Sequence, residues 1–252
     1  MAIDEQRGTL GTVRNAALLL ELLSEGPAYH QLTELAEQAG MSLPTVHRLL
    51  RSLVAAGLVE QDSRTARYGL GPQLVYLSER YLGRLPVLNA AAPYLGDLRD
   101  VLGATVMIAV LVRGHVVYVD RVDAGDAGGV FRESSRLRHA FATPAGQLLI
   151  AHASSDEWRQ AEAALAQAAG APRATPADRR RWSRAPYLLV HDDDGGRAAF
   201  ELAVPIRSGD AVPAALVATG STDHENTDEL TDKLAPRLER AALAVGRTIA
   251  HA

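Results

Sequence analysis

The sequence of 252 residues contains no cysteine, one lysine and few aromatic side chains (5%). The missing thiols exclude disulfides, thiolate metal ligands and a cysteine nucleophile. No run of 18 apolar residues is present, and the N-terminal letters MAIDEQRG form no hydrophobic signal region. These absences predict a soluble, cytoplasmic protein without a membrane span.

An excess of basic charge is also missing. The net charge is −4, and residues 1–80 hold seven arginines against nine acidic residues. A general polyanion binder is therefore not expected, and any basic surface has to be local. The chain is 47% hydrophobic, which leaves enough apolar surface for two separate cores.

Signals for catalysis are absent as well. The eight histidines form no HxH or HExxH pair, so a catalytic metal site is not predicted. The run Asp192–Gly196 lacks the spaced ligands of a calcium loop and is interpreted as an exposed hairpin turn. No serine lies in a nucleophile-elbow motif. We therefore predict neither an enzyme, nor a metal site, nor a cofactor.

Residues 40–70 carry the most informative pattern. Four apolar residues fall at i, i+3, i+4 and i+7, which predicts one buried side of a helix from Ser42 to Ala56. Ser42 is its expected N-cap, and Gly57 is expected to end it. Two short strands of a wing follow, at 58–61 and 67–70. The apolar residues of the stripe are Val46, Leu49, Leu50 and Leu53.

Two earlier amphipathic helices, at 13–24 and 32–39, complete a winged helix-turn-helix pattern. Periodicity alone leaves two interpretations open. The helix from Ser42 binds DNA through its polar side, or the unit is a packing module on which Arg48 and Arg51 are merely solvated.

The rest of the chain predicts an α+β fold in which helices surround an antiparallel sheet. Residues 1–12 are interpreted as a flexible arm, and a short third strand is expected at 130–132. The expected domains are a winged helix-turn-helix at 1–70, a linker helix at 71–84 and an effector-binding and oligomerisation domain at 85–252. The hairpin and final helix of that last domain are predicted at 105–122 and 226–250.

The segment MSLPTVHRLLRSLVAAGLVEQDSRTARYGLGPQL resembles the N-terminal domain of the IclR family of bacterial transcriptional regulators. This resemblance implies a winged helix-turn-helix, a linker helix and a C-terminal effector-binding domain related to GAF and PAS folds. It implies homodimers or tetramers that bind double-stranded operator DNA as repressors or activators. The implied DNA-binding residues are Ser42, Pro44, Thr45, His47, Arg48, Arg51, Arg64 and Arg67.

The resemblance also implies a small-molecule effector site. The segment 142–151 takes the place of a family segment similar to LHATALGKALLA, in which Thr143 and Gly146 match. A Thr hydroxyl beside free N–H groups at a helix start is a good receptor for a carboxylate. The implied effector-binding residues are Thr143, Gly146, Met107, His191, Glu201, Val217 and Thr219.

Glu201 departs from the family pattern, in which cysteine is common at this position. An inward carboxylate would repel a small carboxylate effector, so the effector is expected to be neutral, amine-bearing, or larger and more apolar. Alternatively, Glu201 pairs internally with a base such as Arg197 or Arg207 and only shapes the pocket.

Two rival functions stay open from sequence. The chain is a small-molecule-binding protein whose N-terminal domain only dimerises, or it is a regulator whose C-terminal domain binds no ligand and serves as an oligomerisation unit.

Overall fold

A computed structural model describes residues 2–124, 137–165, 173–193, 198–222 and 227–251. The backbone divides into two compact units, Met1–Arg84 and Leu85–Ala252.

The first unit is a winged helix-turn-helix built on one apolar core. Leu35 and Leu50 are fully buried in this core, as is Leu19 of the first helix. The elements are α1 (Ala2–Ser24), α2 (Leu32–Gln38), α3 (Leu43–Ala55), β1 (Val59–Gln61), β2 (Tyr68–Leu70) and α4 (Gln73–Leu82).

The prediction of a flexible arm at residues 1–12 was wrong, because α1 begins at Ala2. The segment before Val13 contains no proline. Packing of Leu19 and Leu23 anchors the helix. Extending an anchored helix costs far less than nucleating one, so the polar residues continue it.

The wing is held at both ends. Gly57 ends the α3 turn with a φ of +70°, which glycine adopts without strain. Val59 of β1 pairs with Leu70 of β2 in an antiparallel register. His30 forms an additional bridge to Tyr68, which ties the wing to the segment before α2.

The second unit is α+β, as predicted. All its strands pair antiparallel in one sheet of order β5-β4-β3-β8-β7-β6. The strands are β3 (Thr105–Val112), β4 (His115–Val122), β5 (Leu137–His139), β6 (Leu188–Asp193), β7 (Ala198–Ser208) and β8 (Ala211–Thr222). The helices are α5 (Pro86–Leu102), α6 (Pro144–His152), α7 (Ser155–Leu165), α8 (Pro176–Arg184) and α9 (Thr227–Ala250).

Both faces of this sheet are apolar. Ile108, Leu202 and Leu216 pack against α5 and α9 on one face. Met107 and Val217 pack against α6 on the other. Because side chains alternate along each strand, the register decides which residues face α6.

Two sequence predictions fall outside the described residues: the strand at 130–132 and the turn at 194–196. Among the described residues, the strand that pairs with β4 on the side away from β3 is β5, in which His139 lies opposite His115.

The start of α6 is fixed by a close backbone approach. A Cβ built on Gly146 would lie 2.2 Å from the carbonyl oxygen of Ala140 and 2.6 Å from its Cα. These are backbone atoms, which cannot swing aside. Glycine at this position therefore sets the distance between α6 and the turn before it.

We expect Gly146→Ala to destabilise the second unit by about 1–3 kcal/mol, because the added methyl group overpacks this contact. Gly96→Ala is the control: nothing lies within 4 Å of its Cβ position inside α5. That change should raise stability by up to about 1 kcal/mol through better helix propensity. Both tryptophans, Trp158 and Trp182, belong to the second unit, so urea unfolding followed by fluorescence reports this unit. Equal stability of the two variants would contradict the close approach.

Candidate functional site

The outer side of α3 presents polar and basic residues to solvent. Leu50 and Val46 are fully buried on the inner side. His47, Arg48 and Arg51 are exposed on the outer side, and Arg48 and Arg51 are one turn apart. Long donor side chains on an exposed helix have the reach to contact base edges and phosphates.

The start of α3 differs in one detail from the prediction. Ser42 occupies the N-cap position, but its hydroxyl does not bond to the helix backbone. Instead Ser42 Oγ lies 2.8 Å from Thr45 Oγ1. Pro44 follows in the first turn, where its missing N–H costs nothing. Two hydroxyl groups therefore meet at the positive end of the α3 dipole.

The wing turn displays two further arginines, Arg64 and Arg67, both exposed. Asp62 organises the turn by accepting hydrogen bonds from the N–H groups of Arg64 (2.9 Å) and Thr65 (2.7 Å). The Thr65 backbone, then its side chain and the Arg64 backbone, hold the pKa of Asp62 below its ordinary value. The turn shape is therefore set by Asp62, and the arginine side chains are left to point outward.

These basic side chains lack acidic partners. Within the described ranges, no salt bridge involves any of the four arginines of α3 and the wing, which are Arg48, Arg51, Arg64 and Arg67. A local basic surface thus exists on a unit whose total charge is negative.

The implied ligand site lies on the α6 face of the second sheet. Thr143 is buried and caps α6, its hydroxyl accepting from the Gly146 N–H at 3.1 Å. Glu201 of β7 lies opposite Thr219 of β8. Met107 of β3 lies opposite Val217 of β8, and both side chains are buried. Six of the seven residues proposed for this site are thus brought to this face.

His191 is the exception. It pairs with Phe200, whose neighbours on the sheet face α5 and α9. Val190, one residue earlier, pairs with Glu201. A shift of one residue along a strand moves the side chain to the other face, so His191 does not join the others.

Tyr118 was missed by the sequence reasoning. Its hydroxyl donates to Glu201 Oε1 at 3.1 Å. The signal was present, because Val116 and Tyr118 alternate along β4 on the face that meets α6. Burial, followed by the charge of Glu201, raises the pKa of Tyr118, so its hydroxyl stays a donor.

Glu201 is the acidic residue of this site, and its pKa is shifted by its surroundings. Burial raises the pKa of its carboxyl group. Hydrogen bonds from Tyr118 and from the Ala145 backbone oppose this rise, as does the positive charge of Arg138. The predicted partner Arg207 instead places its guanidinium 3.4 Å from His152 Nε2, and Arg197 lies outside the described residues.

Thr219 is also engaged within the fold. Its hydroxyl donates to the carbonyl oxygen of Phe200 at 2.8 Å. It therefore bridges β8 to β7 beside Glu201.

Metal ligands do not cluster in the part of the chain that the structure describes: no group of three His, Cys, Asp or Glu residues could hold an ion there. Among the same residues, no helix is long and apolar enough to cross a membrane.

Comparison with known proteins agrees with this geometry. Residues 12–63 match the IclR helix-turn-helix domain. The Glycerol operon regulatory protein of Streptomyces coelicolor is 30% identical over 141 residues, which cover 56% of this chain and 56% of that protein. The chain therefore spans little more than half the length of the curated relatives that it matches.

Solved structures extend the likeness over nearly the whole chain. An IclR transcriptional regulator from Silicibacter sp. TM1040 is 26% identical with a TM-score of 0.73, covering 95% of this chain and 96% of that one. An IclR homologue from Microbacterium hydrocarbonoxydans, solved with 4-hydroxybenzoate, is 20% identical with a TM-score of 0.67, covering 96% and 100%. At that lower identity the likeness shows the fold alone.

The fold and the exposed arginines define a winged helix-turn-helix protein with a second, antiparallel-sheet domain. The chain contains an IclR-type helix-turn-helix domain at residues 12–63, and the resemblance to IclR regulators predicted from residues 41–74 is confirmed.

The raised pKa of Glu201 has a measurable effect on stability. The native state holds this proton more tightly than the unfolded chain, so stability is lost as pH rises from the ordinary glutamate pKa through the raised native pKa. Across that range we expect the melting temperature of the wild-type protein to fall relative to that of Glu201→Gln. Fluorescence-detected melting at several pH values measures the difference. Asp210→Asn, in the exposed turn after β7, should follow the wild-type curve. A constant offset between wild type and Glu201→Gln would contradict the shift.

Proposed function

We propose that this protein is a sequence-specific DNA-binding transcriptional regulator whose operator affinity is changed by a small molecule bound in its second domain. The observation that carries the proposal is the exposed, unpaired basic surface on α3 and the wing, backed by a fully apolar inner side. The match of residues 12–63 to the IclR helix-turn-helix domain supports the same function.

In this proposal α3 enters the major groove. Arg48 and Arg51 contact base edges or phosphates, and His47 lies on the same outer side. Ser42 and Thr45 offer hydroxyl groups to a phosphate at the positive end of α3, with Pro44 shaping that turn. The wing arginines, Arg64 and Arg67, hold the DNA backbone.

The α4 helix supports a dimer. None of its residues is buried, although several are large and apolar. About half or more of the side chain is exposed in each of Val75, Tyr76, Leu77 and Tyr81. Four large apolar side chains on one solvent-exposed helix indicate a surface that another chain covers. A two-fold dimer places two copies of α3 on a near-palindromic operator, and a tetramer would pair two such dimers.

The α6 face of the second domain is the proposed effector site. A structural neighbour with the same fold binds 4-hydroxybenzoate, which supports a small-molecule site in this kind of domain. Ligand binding that favours one spacing of the two α3 helices would change operator affinity, with a coupling of about 1–3 kcal/mol. We assign the protein no enzymatic activity and place its action in the cytoplasm, where its DNA target lies.

Replacing both α3 arginines tests the DNA interface. Each base-edge contact contributes about 1–3 kcal/mol, so Arg48→Ala with Arg51→Ala should weaken binding by roughly 100-fold or more. The target is a duplex that the wild-type protein selects from a random library, and fluorescence anisotropy at physiological salt measures affinity.

The matched control is Arg180→Ala with Arg184→Ala. Both arginines are exposed on α8 of the second unit, and the charge change is the same. This variant should bind the duplex as the wild type does. Equal losses in the two variants would show that only net charge matters, and unchanged binding of the α3 variant would remove α3 from the interface.

Charges on α4 test the dimer. Val75→Asp with Leu77→Asp should yield a monomer in analytical ultracentrifugation, because two carboxylates would be buried in the interface. Ser78→Asp adds a negative charge to the same helix without removing an apolar side chain, and should remain a dimer. A dimeric double variant would show that α4 is not the surface that holds the two chains together.

A further inference from the structure

Three N–H groups at the start of α6 have partners within the protein. Pro144, the first residue of the helix, has no N–H. The Ala145 N–H donates to the Glu201 carboxylate. The Gly146 N–H donates to Thr143 Oγ1 at 3.1 Å, and the Gln147 N–H donates to the Thr143 carbonyl at 2.9 Å.

These contacts take up N–H groups that a carboxylate ligand would need at the start of α6. An anion at a helix start is held by N–H groups without intrahelical partners. Here the Glu201 carboxylate already accepts from the Ala145 N–H, and the Thr143 hydroxyl accepts from the Gly146 N–H. A second carboxylate at the start of α6 would lack these N–H donors and would lie beside a negative charge.

Glu201 still has unused capacity. A carboxylate offers about four acceptor sites, and the donors to Glu201 in the described structure are the Tyr118 hydroxyl and the Ala145 N–H. Within the described residues it forms no salt bridge, and the residue is only half-buried. Its charge is therefore partly desolvated and is not held in an ion pair among these residues, although the positive charge of Arg138 acts on it.

The neighbouring surface is apolar. Met107 and Val217 are buried beside α6, together with Leu148 and the ring of Tyr118. A ligand that reaches Glu201 would therefore have apolar side chains beside its body, whereas Glu201 would meet its polar end.

We propose that the effector of this site carries a protonated amine on an apolar body and directs that amine to Glu201, with no carboxylate at the start of α6. The ammonium donates to the free lone pairs of Glu201 and offsets the buried negative charge. This inference rests on the proposed function, because it names the chemical class of the effector for the same site.

A matched panel of ligands tests this preference. Phenethylamine, 2-phenylethanol and phenylacetate share one carbon frame, as do hexylamine, hexanol and hexanoate. Isothermal titration with the full-length protein should show each amine binding at least about tenfold more tightly than the carboxylate of its frame. Glu201→Gln should remove this preference, since its amide is neutral. Asp210→Asn changes an exposed carboxylate of the same domain and should keep the preference.

Several outcomes would overturn the inference. These are a carboxylate that binds more tightly than its amine, an amine affinity that Glu201→Gln leaves unchanged, or no saturable amine binding at about 10 mM. The melting temperature of Glu201→Gln confirms that the variant is folded.

DNA binding by the same preparation separates this inference from the proposed function. Specific DNA binding without amine binding would keep the regulator and reject the amine effector. Amine binding without any DNA binding would do the opposite.

Discussion

The second domain depends on one constraint: its sheet is apolar on both faces, so both faces need a helical cover. The pair α5 and α9 covers one face, and α6 covers the other. The close approach of Gly146 to Ala140 then fixes where α6 begins. That position brings the start of α6 over β7, where Glu201 lies, and beside Tyr118 of β4. The packing of the core thus creates the polar cluster as a consequence of covering the sheet.

The polar cluster also explains how a carboxylate can occupy a partly buried position. Glu201 is stabilised by the Tyr118 hydroxyl and by the Ala145 N–H at the positive end of a helix. These are dipolar partners, which lower the cost of burial but do not neutralise the charge. A neutral network would pack with less penalty, so the charge of Glu201 does not by itself stabilise the fold.

In the first unit, the proposed DNA-binding surface does not depend on residues distant in sequence. Its core is small, and its functional surface is built from residues that follow one another along α3 and the wing turn. Asp62 stabilises the wing turn through hydrogen bonds to backbone N–H groups, so the side chains of Arg64 and Arg67 are not needed to stabilise it. A negative unit can therefore present a positive surface, because the acidic residues of α1 and α2 lie on other helices than the arginines.

The sequence determined the elements whose signals are local. The i, i+3, i+4 spacing set α2 and α3, the glycine turns bounded the wing, and the alternating strands indicated the antiparallel sheet. Most residues proposed to contact DNA lie on one helix, α3, so the side that they share could be predicted. The polar residues at the N-terminus led to the wrong prediction of a flexible arm. They continue α1, which is anchored by the packing of Leu19 and Leu23 farther along the chain.

Only the tertiary structure decided which residues of the proposed ligand site lie together. These residues come from four strands and one helix. His191 follows Val190, the residue that pairs with Glu201, and its side chain therefore lies on the opposite face of the sheet. One alternative left open by the sequence was an arginine partner for Glu201, whereas in the fold Glu201 accepts from Tyr118 and from a backbone N–H. Strand order and register arise from packing of the whole core, so residues distant in sequence acquire their partners only when that core forms.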